Sequence, residues 1–213
     1  MSETRLKILD TAERLFGEEG YKAVSLRRIT AAAEVNLASI HYHFGSKEEL
    51  LDELVMRRAV PLNEERMEGL RRLKEIAGSN VIPIEDLLEA FLVPAFHAAD
   101  RSPEWAGLMG RLHAEGIMPA VARKHFAPTG GCFLTEMRRA LPGIPDDELA
   151  WRVSFAIGAM AHALSVLPLG PAWGAGSTRP TDVARRMVAF LSGGFRAPVA
   201  AREETSEKVE VKG

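Results

Sequence analysis

Three observations predict an all-α fold. Apolar residues recur at helical spacing nearly from end to end, and Ser, Asn and Gly stand where helix caps belong. No stretch alternates apolar and polar residues as a half-buried strand would. Ile8, Leu9, Ala12, Leu15 and Phe16 form the first stripe, on a helix over 4–19 that Gly20 closes. Ser25 caps a second helix over 26–33, with Leu26, Ile29 and Ala33 facing inward. Asn36 caps a short third helix over 37–44, and Gly45 supplies the turn that ends it. Ser46, with Glu49 three residues on, forms a capping box that opens a fourth helix over 47–59, which Pro61 is expected to stop.

Further helices are predicted near 62–77, 84–99, 104–125, 132–141, 147–167 and 181–194. Pro94 and Pro119 fall inside two of these and are expected to kink or divide them. Residues 168–180, rich in Gly and Pro, read as a loop. Residues 197–213, charged and poor in apolar side chains, read as a disordered tail.

A chain of 213 residues, 46% hydrophobic and 26% charged, has the composition of an ordinary globular protein with a sizeable core. Its single cysteine, Cys132, excludes an internal disulfide and fits a reducing compartment. No secretory pattern opens the chain, and no apolar run approaches the ~20 residues of a membrane span. Cytoplasmic placement without membrane contact is therefore expected. Nucleophile-elbow, P-loop, zinc and dinucleotide motifs are all missing from the sequence, which argues against an enzyme and calls for no cofactor. Asp146, Asp147 and Glu148 read as the acidic first turn of a helix, not as a catalytic cluster.

The net charge of −2 carries no global nucleic-acid signal, yet the charge is locally ordered. Lys22, Arg27, Arg28 and Lys47 lie within a stretch opposed only by Glu34, with acidic segments on either side. Such a patch would orient a polyanion as well as attract it. The third helix turns Val35, Ile40 and Phe44 toward a core and leaves Ser39, His41, Tyr42 and His43 outward. Arg27 and Arg28 stand in the first turn of the second helix, where the macrodipole disfavours cations. An anion held there by backbone N–H groups and guanidinium together explains the placement, and Lys47 repeats it on the fourth helix. Two cationic helix starts flanking an outward polar helix suit a clamp on duplex phosphates around a helix that reads bases. The plainer alternatives are a solvated face for the arginines and a core position for Tyr42. His41 and His43 as metal ligands would lack a carboxylate or thiol to complete a site.

Three short helices with a tight turn between the second and third match helix-turn-helix geometry. The segment SLRRITAAAEVNLASIHYHFGSKEELL and the preceding ILDTAERLFGEEGYKAVS resemble the DNA-binding domain of the TetR/AcrR family of transcriptional regulators, over residues 5–52. That resemblance assigns phosphate contacts to Ser25, Arg27, Tyr42 and Lys47, with Arg28 beside them. It assigns base or groove contacts to Leu37, Ala38, Ser39, His41 and His43. Two departures stand out: the family commonly has Gly where this chain has Glu34, and Tyr where it has His41.

The resemblance further implies a helix-turn-helix DNA-binding domain over 1–52, a helical ligand-binding and dimerisation domain over 53–196, and the tail over 197–213. The implied protein is a homodimeric repressor that a small apolar effector releases from a palindromic operator. The apolar C-terminal residues and the YHFGSK segment resemble members that respond to fatty acids or acyl-CoA. Ligand-lining candidates are Phe91, Phe96, Leu108, Leu112, Phe133 and Met137, with His97, Arg111 and His113 as polar anchors. Plain core packing and structural pairing are the competing readings for each of them. Ala156, Gly158, Ala159, Ala161 and Ala163 would suit close helix approach across a two-fold axis, or tight packing inside one subunit.

Overall fold

The computed structural model describes residues 2–167 and 179–199, and all regular structure among them is helical. The four N-terminal helices are α1 (Glu3–Glu19), α2 (Leu26–Ala33), α3 (Leu37–Phe44) and α4 (Lys47–Ala77). Their starts are fixed as the sequence predicts: Ser25 Oγ accepts from Arg28 N at 3.1 Å, and Asn36 Oδ1 from Ala38 N at 2.7 Å. Both arms of the Ser46–Glu49 capping box are made, at 3.1 and 3.0 Å. Ile8, Leu9, Leu15, Phe16, Ile29, Ile40 and Leu50 are fully enclosed between these helices.

The remaining elements are α5 (Ile84–Arg101), α6 (Pro103–Ala114), α7 (Met118–His125), α8 (Ala127–Ala140), α9 (Asp146–Val166) and α10 (Pro180–Arg196). One core gathers Leu70, Leu87, Leu88, Phe133 and Met137 from α4, α5 and α8, with Leu149 of α9 and Phe195 of α10. A smaller one joins Leu62, Phe96, Leu164 and Ala184. The N-terminal core does not stop at α4: Trp105, Leu108 and Leu112 of α6 and Val121 of α7 complete it.

Three expectations are corrected. Pro61 does not stop α4, so the helices predicted over 47–59 and 62–77 are one. The buried stripe runs through it in phase, as Leu51, Val55, Ala59, Leu62, Arg66 and Leu70, while the proline ring sits in solvent. The ring removes only the donor that Arg57 O would have received, and burial on both sides holds the helix together. Pro94 likewise lies inside an unbroken α5. The helix predicted over 104–125 is two, and the break is at Gly116 rather than at Pro119. Ile117 N donates to Leu112 O at 2.9 Å and Gly116 N to His113 O at 3.1 Å, a Schellman ending with Gly116 at φ 73°. Pro119 then starts α7. The third correction is α8, which begins at Ala127, five residues before the predicted start at 132.

α9 is long and apolar enough to reach across a bilayer by composition, which the sequence reading had not allowed for. Its Arg152, however, is buried, bonded to Glu148 at 2.8 Å and to Phe195 O at 2.8 Å, as befits a helix packed on α10. Most of the loop expected over 168–180, and the tail beyond 199, lie outside the described residues.

Replacing Pro61 with Ala restores the missing backbone bond at an exposed position. Urea unfolding should show the P61A protein more stable by about 1–3 kcal/mol. Equal or lower stability would mean that the helix is bent to fit the proline.

Candidate nucleic-acid interface and ligand cavity

α3 is short and hangs by Ile40 and Phe44 on the N-terminal core, so its other faces are presented outward. Tyr42 is 85% exposed, and its ring meets His43 edge-on at a centroid distance of 5.0 Å. His41 places Nδ1 2.9 Å from Gly45 O. A carbonyl can only accept, so Nδ1 carries the hydrogen and the neutral ring offers Nε2 as an acceptor. Ser39 and Leu37 are half-buried, and Ala38 is exposed.

The flanking cations differ in how far they are already engaged. Among the described residues, Arg27 makes no ion pair, whereas Arg28 Nη2 lies 3.0 Å from Glu19 Oε1. Ser25 Oγ is occupied as an acceptor by its own helix but keeps a hydroxyl hydrogen to donate. Lys47 Nζ sits 4.3 Å above the Tyr21 ring, and burial pulls its pKa down against the charges of Glu48 and Glu115. Burial and Glu48 push the Tyr21 hydroxyl up to about 12. Lys22, counted with the patch from sequence, is committed elsewhere: its backbone N donates to Glu115 Oε2 at 2.9 Å and its Nζ to Glu115 O at 3.0 Å.

The turn from α2 to α3 is a second Schellman ending. Val35 N donates to Thr30 O at 3.0 Å and Glu34 N to Ala31 O at 3.3 Å. Glu34 therefore occupies the left-handed position, with φ 52° and ψ 44°, where glycine is the natural choice.

Some 470 Å³ of cavity lies between α4, α5, α6, α7 and α9, with Phe126 closing it after α7. Its wall is mostly apolar: Phe91, Trp105, Met109, Met118, Phe126, Ile157 and Met160 contribute, and Arg66, His113 and Ser154 add polar groups. Of the nine ligand-lining candidates, the structure brings Phe91 and His113 to this cavity. Leu108 and Leu112 turn instead to the N-terminal core, Phe96 to the core beside α10, and Phe133 and Met137 to the core with α8. His97 Nδ1 pairs with Glu65 Oε1 at 2.8 Å, away from the cavity. Arg111 is the largest displacement from expectation: it reaches Glu18 O at 3.0 Å and Gly17 O at 3.4 Å, satisfying carbonyls at the end of α1. Sequence reasoning missed Arg66, although a cation in the stripe position between Leu62 and Leu70 was the available signal. Ala156 is buried within the subunit, while Gly158 and Ala161 face the cavity.

The same α6 that lines the cavity through Trp105, Met109 and His113 packs its opposite side on α1. Gly17 and Gly107 allow the approach: a Cβ on Gly17 would fall 3.1 Å from Glu104 O and 3.3 Å from Leu108 N.

A capped outward helix on a three-helix core, flanked by cationic helix starts, defines a helix-turn-helix DNA-binding protein. Comparison makes the class specific. Residues 8–54 match the family model for bacterial regulatory proteins of the tetR family, and residues 89–194 match the tetracyclin repressor-like C-terminal domain. This chain belongs to the TetR family of transcriptional regulators, whose members bind DNA operators. It is 24% identical to the HTH-type transcriptional regulator UidR of Escherichia coli over 182 residues, 77% of this chain and 93% of that one. It is 36% identical over 78 residues to YttP of Bacillus subtilis, a match covering 37% of this chain and 34% of YttP. The fold is that of the fatty acid degradation regulator FadR from Bacillus halodurans, with a TM-score of 0.59 at 14% identity, over 93% of this chain and 99% of that one.

Glycine at position 34 would remove the left-handed strain in the α2–α3 turn at the loss of one exposed pair with Lys7. We expect the E34G protein to unfold at higher urea, by about 0.5–1 kcal/mol after the backbone entropy of glycine is subtracted. A destabilised E34G protein would show that the turn is not strained.

Proposed function

We propose that this chain acts as a homodimeric repressor that a small apolar effector releases from a palindromic operator. The observation that carries the reading is the double use of α6, one side lining the cavity and the other seated on α1. An effector that fits the cavity in one arrangement of α6 and not in another biases both states of the DNA-binding unit. In the DNA-bound state two copies of α3 enter successive major grooves, about 34–36 Å apart. Arg27, Arg28, Ser25, Tyr42 and Lys47 engage phosphates, while Ser39, His41, His43, Leu37 and Ala38 face the bases. The effector class is fatty acid or acyl-CoA, supported by the apolar wall and by likeness in fold to a regulator described as one of fatty acid degradation.

Dimerisation falls to the outer faces of α9 and α10. Trp151 is 62% exposed, Phe155 64% and Phe190 78%, an apolar surface that a second copy would cover. Aromatic side chains, more than the small residues of α9, form this face.

Selection from random duplexes should yield one palindromic site. Arg27→Ala or Lys47→Ala should weaken binding to every sequence and lower the salt slope by about one each. His41→Ala or Ser39→Ala should instead relax base preference. Equal, salt-dependent affinity for any duplex would sink the reading. Phe155→Asp together with Phe190→Asp should halve the mass in sedimentation and cut operator affinity by about 100-fold or more. A doubly substituted protein that stays dimeric would place the interface elsewhere.

A further inference from the structure

Among the described residues, Arg66 is the one formally charged residue in the wall of the cavity, and it is 3% exposed. Its Nε donates to Phe91 O at 2.8 Å, and its guanidinium carbon lies 4.2 Å above the Phe91 ring. The neighbouring Glu65 offers Arg66 only a through-space attraction and no ion pair, because its carboxylate turns to His97 at 2.8 Å and Arg101 at 3.6 Å. Among the described residues, nothing accepts a hydrogen bond from the two Nη nitrogens of Arg66 and no carboxylate pairs with it. Neither Nη is sealed off without a partner, as Arg57 Nε and Asn63 Oδ1 are. Because Arg66 lines the cavity, the opening they retain is assigned to it. Burial pulls the Arg66 pKa down to about 10, still well above neutrality, so the group is charged at physiological pH.

A buried cation without a hydrogen-bonded carboxylate is costly, and replacing such a group by an apolar one of similar volume commonly stabilises a protein. Retaining it is understandable if an anion arrives from outside. A guanidinium whose Nη1/Nη2 edge is free matches a carboxylate as a bidentate pair.

We propose that the cavity binds a monoanionic amphiphile, a free alkyl carboxylic acid, with its carboxylate on Arg66. The tail lies against Trp105, Met109, Phe126, Ile157 and Met160. His113, on the same wall, is a second polar neighbour for the head group. The inference rests on the effector reading above and narrows it. A coenzyme A thioester has no carboxylate at its acyl end, and its several phosphates would find a single cation in this wall. The free acid is therefore the better fit.

The test uses delipidated full-length protein with octanoic, dodecanoic and hexadecanoic acids, their methyl esters and their coenzyme A thioesters. Binding is read by calorimetry and release by operator gel shift. At least one acid should bind wild type about tenfold or more tighter than its ester, the size of a charged hydrogen-bonded contact. Arg66→Met should bring acid and ester to within about twofold by weakening only the acid, and Arg66→Lys should keep part of the preference. Without ligand, R66M should unfold at or above the wild-type temperature; a merely structural arginine would lower it and weaken acid and ester alike. Failure of every acid to bind, equal binding of acid and ester, or a preference that survives R66M overturns the proposal. An acid that binds through Arg66 yet leaves the operator complex intact overturns the effector reading alone. Acid and ester that bind equally and both release DNA overturn the Arg66 assignment alone.

Discussion

The contact between α1 and α6 is the constraint on which the rest of the structure depends. Gly17 and Gly107 face each other at the crossing, and the approach is closest at Gly17, where a Cβ would press on Glu104 O and Leu108 N at 3.1 and 3.3 Å. α1 is the centre of the N-terminal core, and α6 is a wall of the cavity. Close-packed interiors transmit small shifts and do not absorb them, so a movement of α6 away from the cavity presses on α1. Polar contacts hold both ends of the crossing. At one end Ser102 Oγ reaches Glu13 Oε1 at 3.4 Å, and Glu13 is itself gripped by Arg57 and Arg58 of α4. At the other, Arg111 holds the last carbonyls of α1 while Glu115 holds Lys22. The Glu13 carboxylate is nearly enclosed, and two guanidiniums make that burial tolerable.

A second connection runs through α4. This helix opens with the capping box beside α3, passes Asp52 and reaches Arg66 in the cavity wall without interruption. Asp52 accepts from Lys124 at 2.7 Å and from His125 at 2.8 Å, tying the end of α7 to α4. Burial alone would raise the Asp52 pKa, but the hydrogen bonds and charges of Lys124 and His125 outweigh it and hold the carboxyl below its ordinary range. That depressed value makes the α7–α4 tie a contribution present above the unfolded carboxylate pKa and lost as pH falls through the folded one. At neutral pH it is fully in place. The continuity of α4 past Pro61 therefore has a mechanical consequence, since a break there would have separated the cavity from α3.

What the sequence disclosed follows the range of the interactions involved. The caps at Ser25, Asn36 and Ser46, and the turn at Gly45, each depend on a handful of adjacent residues, and all stand where local rules place them. The left-handed turn at Glu34 was also locally readable, since α2 must end before Asn36 caps α3. Pro61 misled because its local cost is outweighed by burial that only the fold supplies. The cavity was less legible for the same reason. Phe91 and Phe133 are equally apolar and meet edge-to-face at 5.2 Å, yet only Phe91 touches the empty space. Arg111 and Arg66 both lie on helices among apolar residues, and nothing short of the packing of α1 tells a carbonyl clamp from a buried cation. Helical spacing assigns a face to each residue. It does not say what that face will meet.

The use of charge explains how an acidic chain can serve the role proposed for it. Many of its cations are consumed internally: Arg57 and Arg58 on Glu13, Lys124 on Asp52, Lys74 and Arg139 on Glu136, Lys22 on Glu115. On the face around α3, Arg28 is shared with Glu19 and Lys47 leans on Tyr21, which leaves Arg27 as the cation with no competing partner among the described residues. Phosphate contacts supply most sequence-independent affinity, so a subunit this sparing with them would hold random DNA weakly. In the proposed role, discrimination would then rest on the outward edges of Ser39, His41 and His43, and on joining two such faces. A modest non-specific term is an advantage to a regulator that must leave its site when a cavity fills, because the coupling free energy available from one small molecule is only about 1–3 kcal/mol.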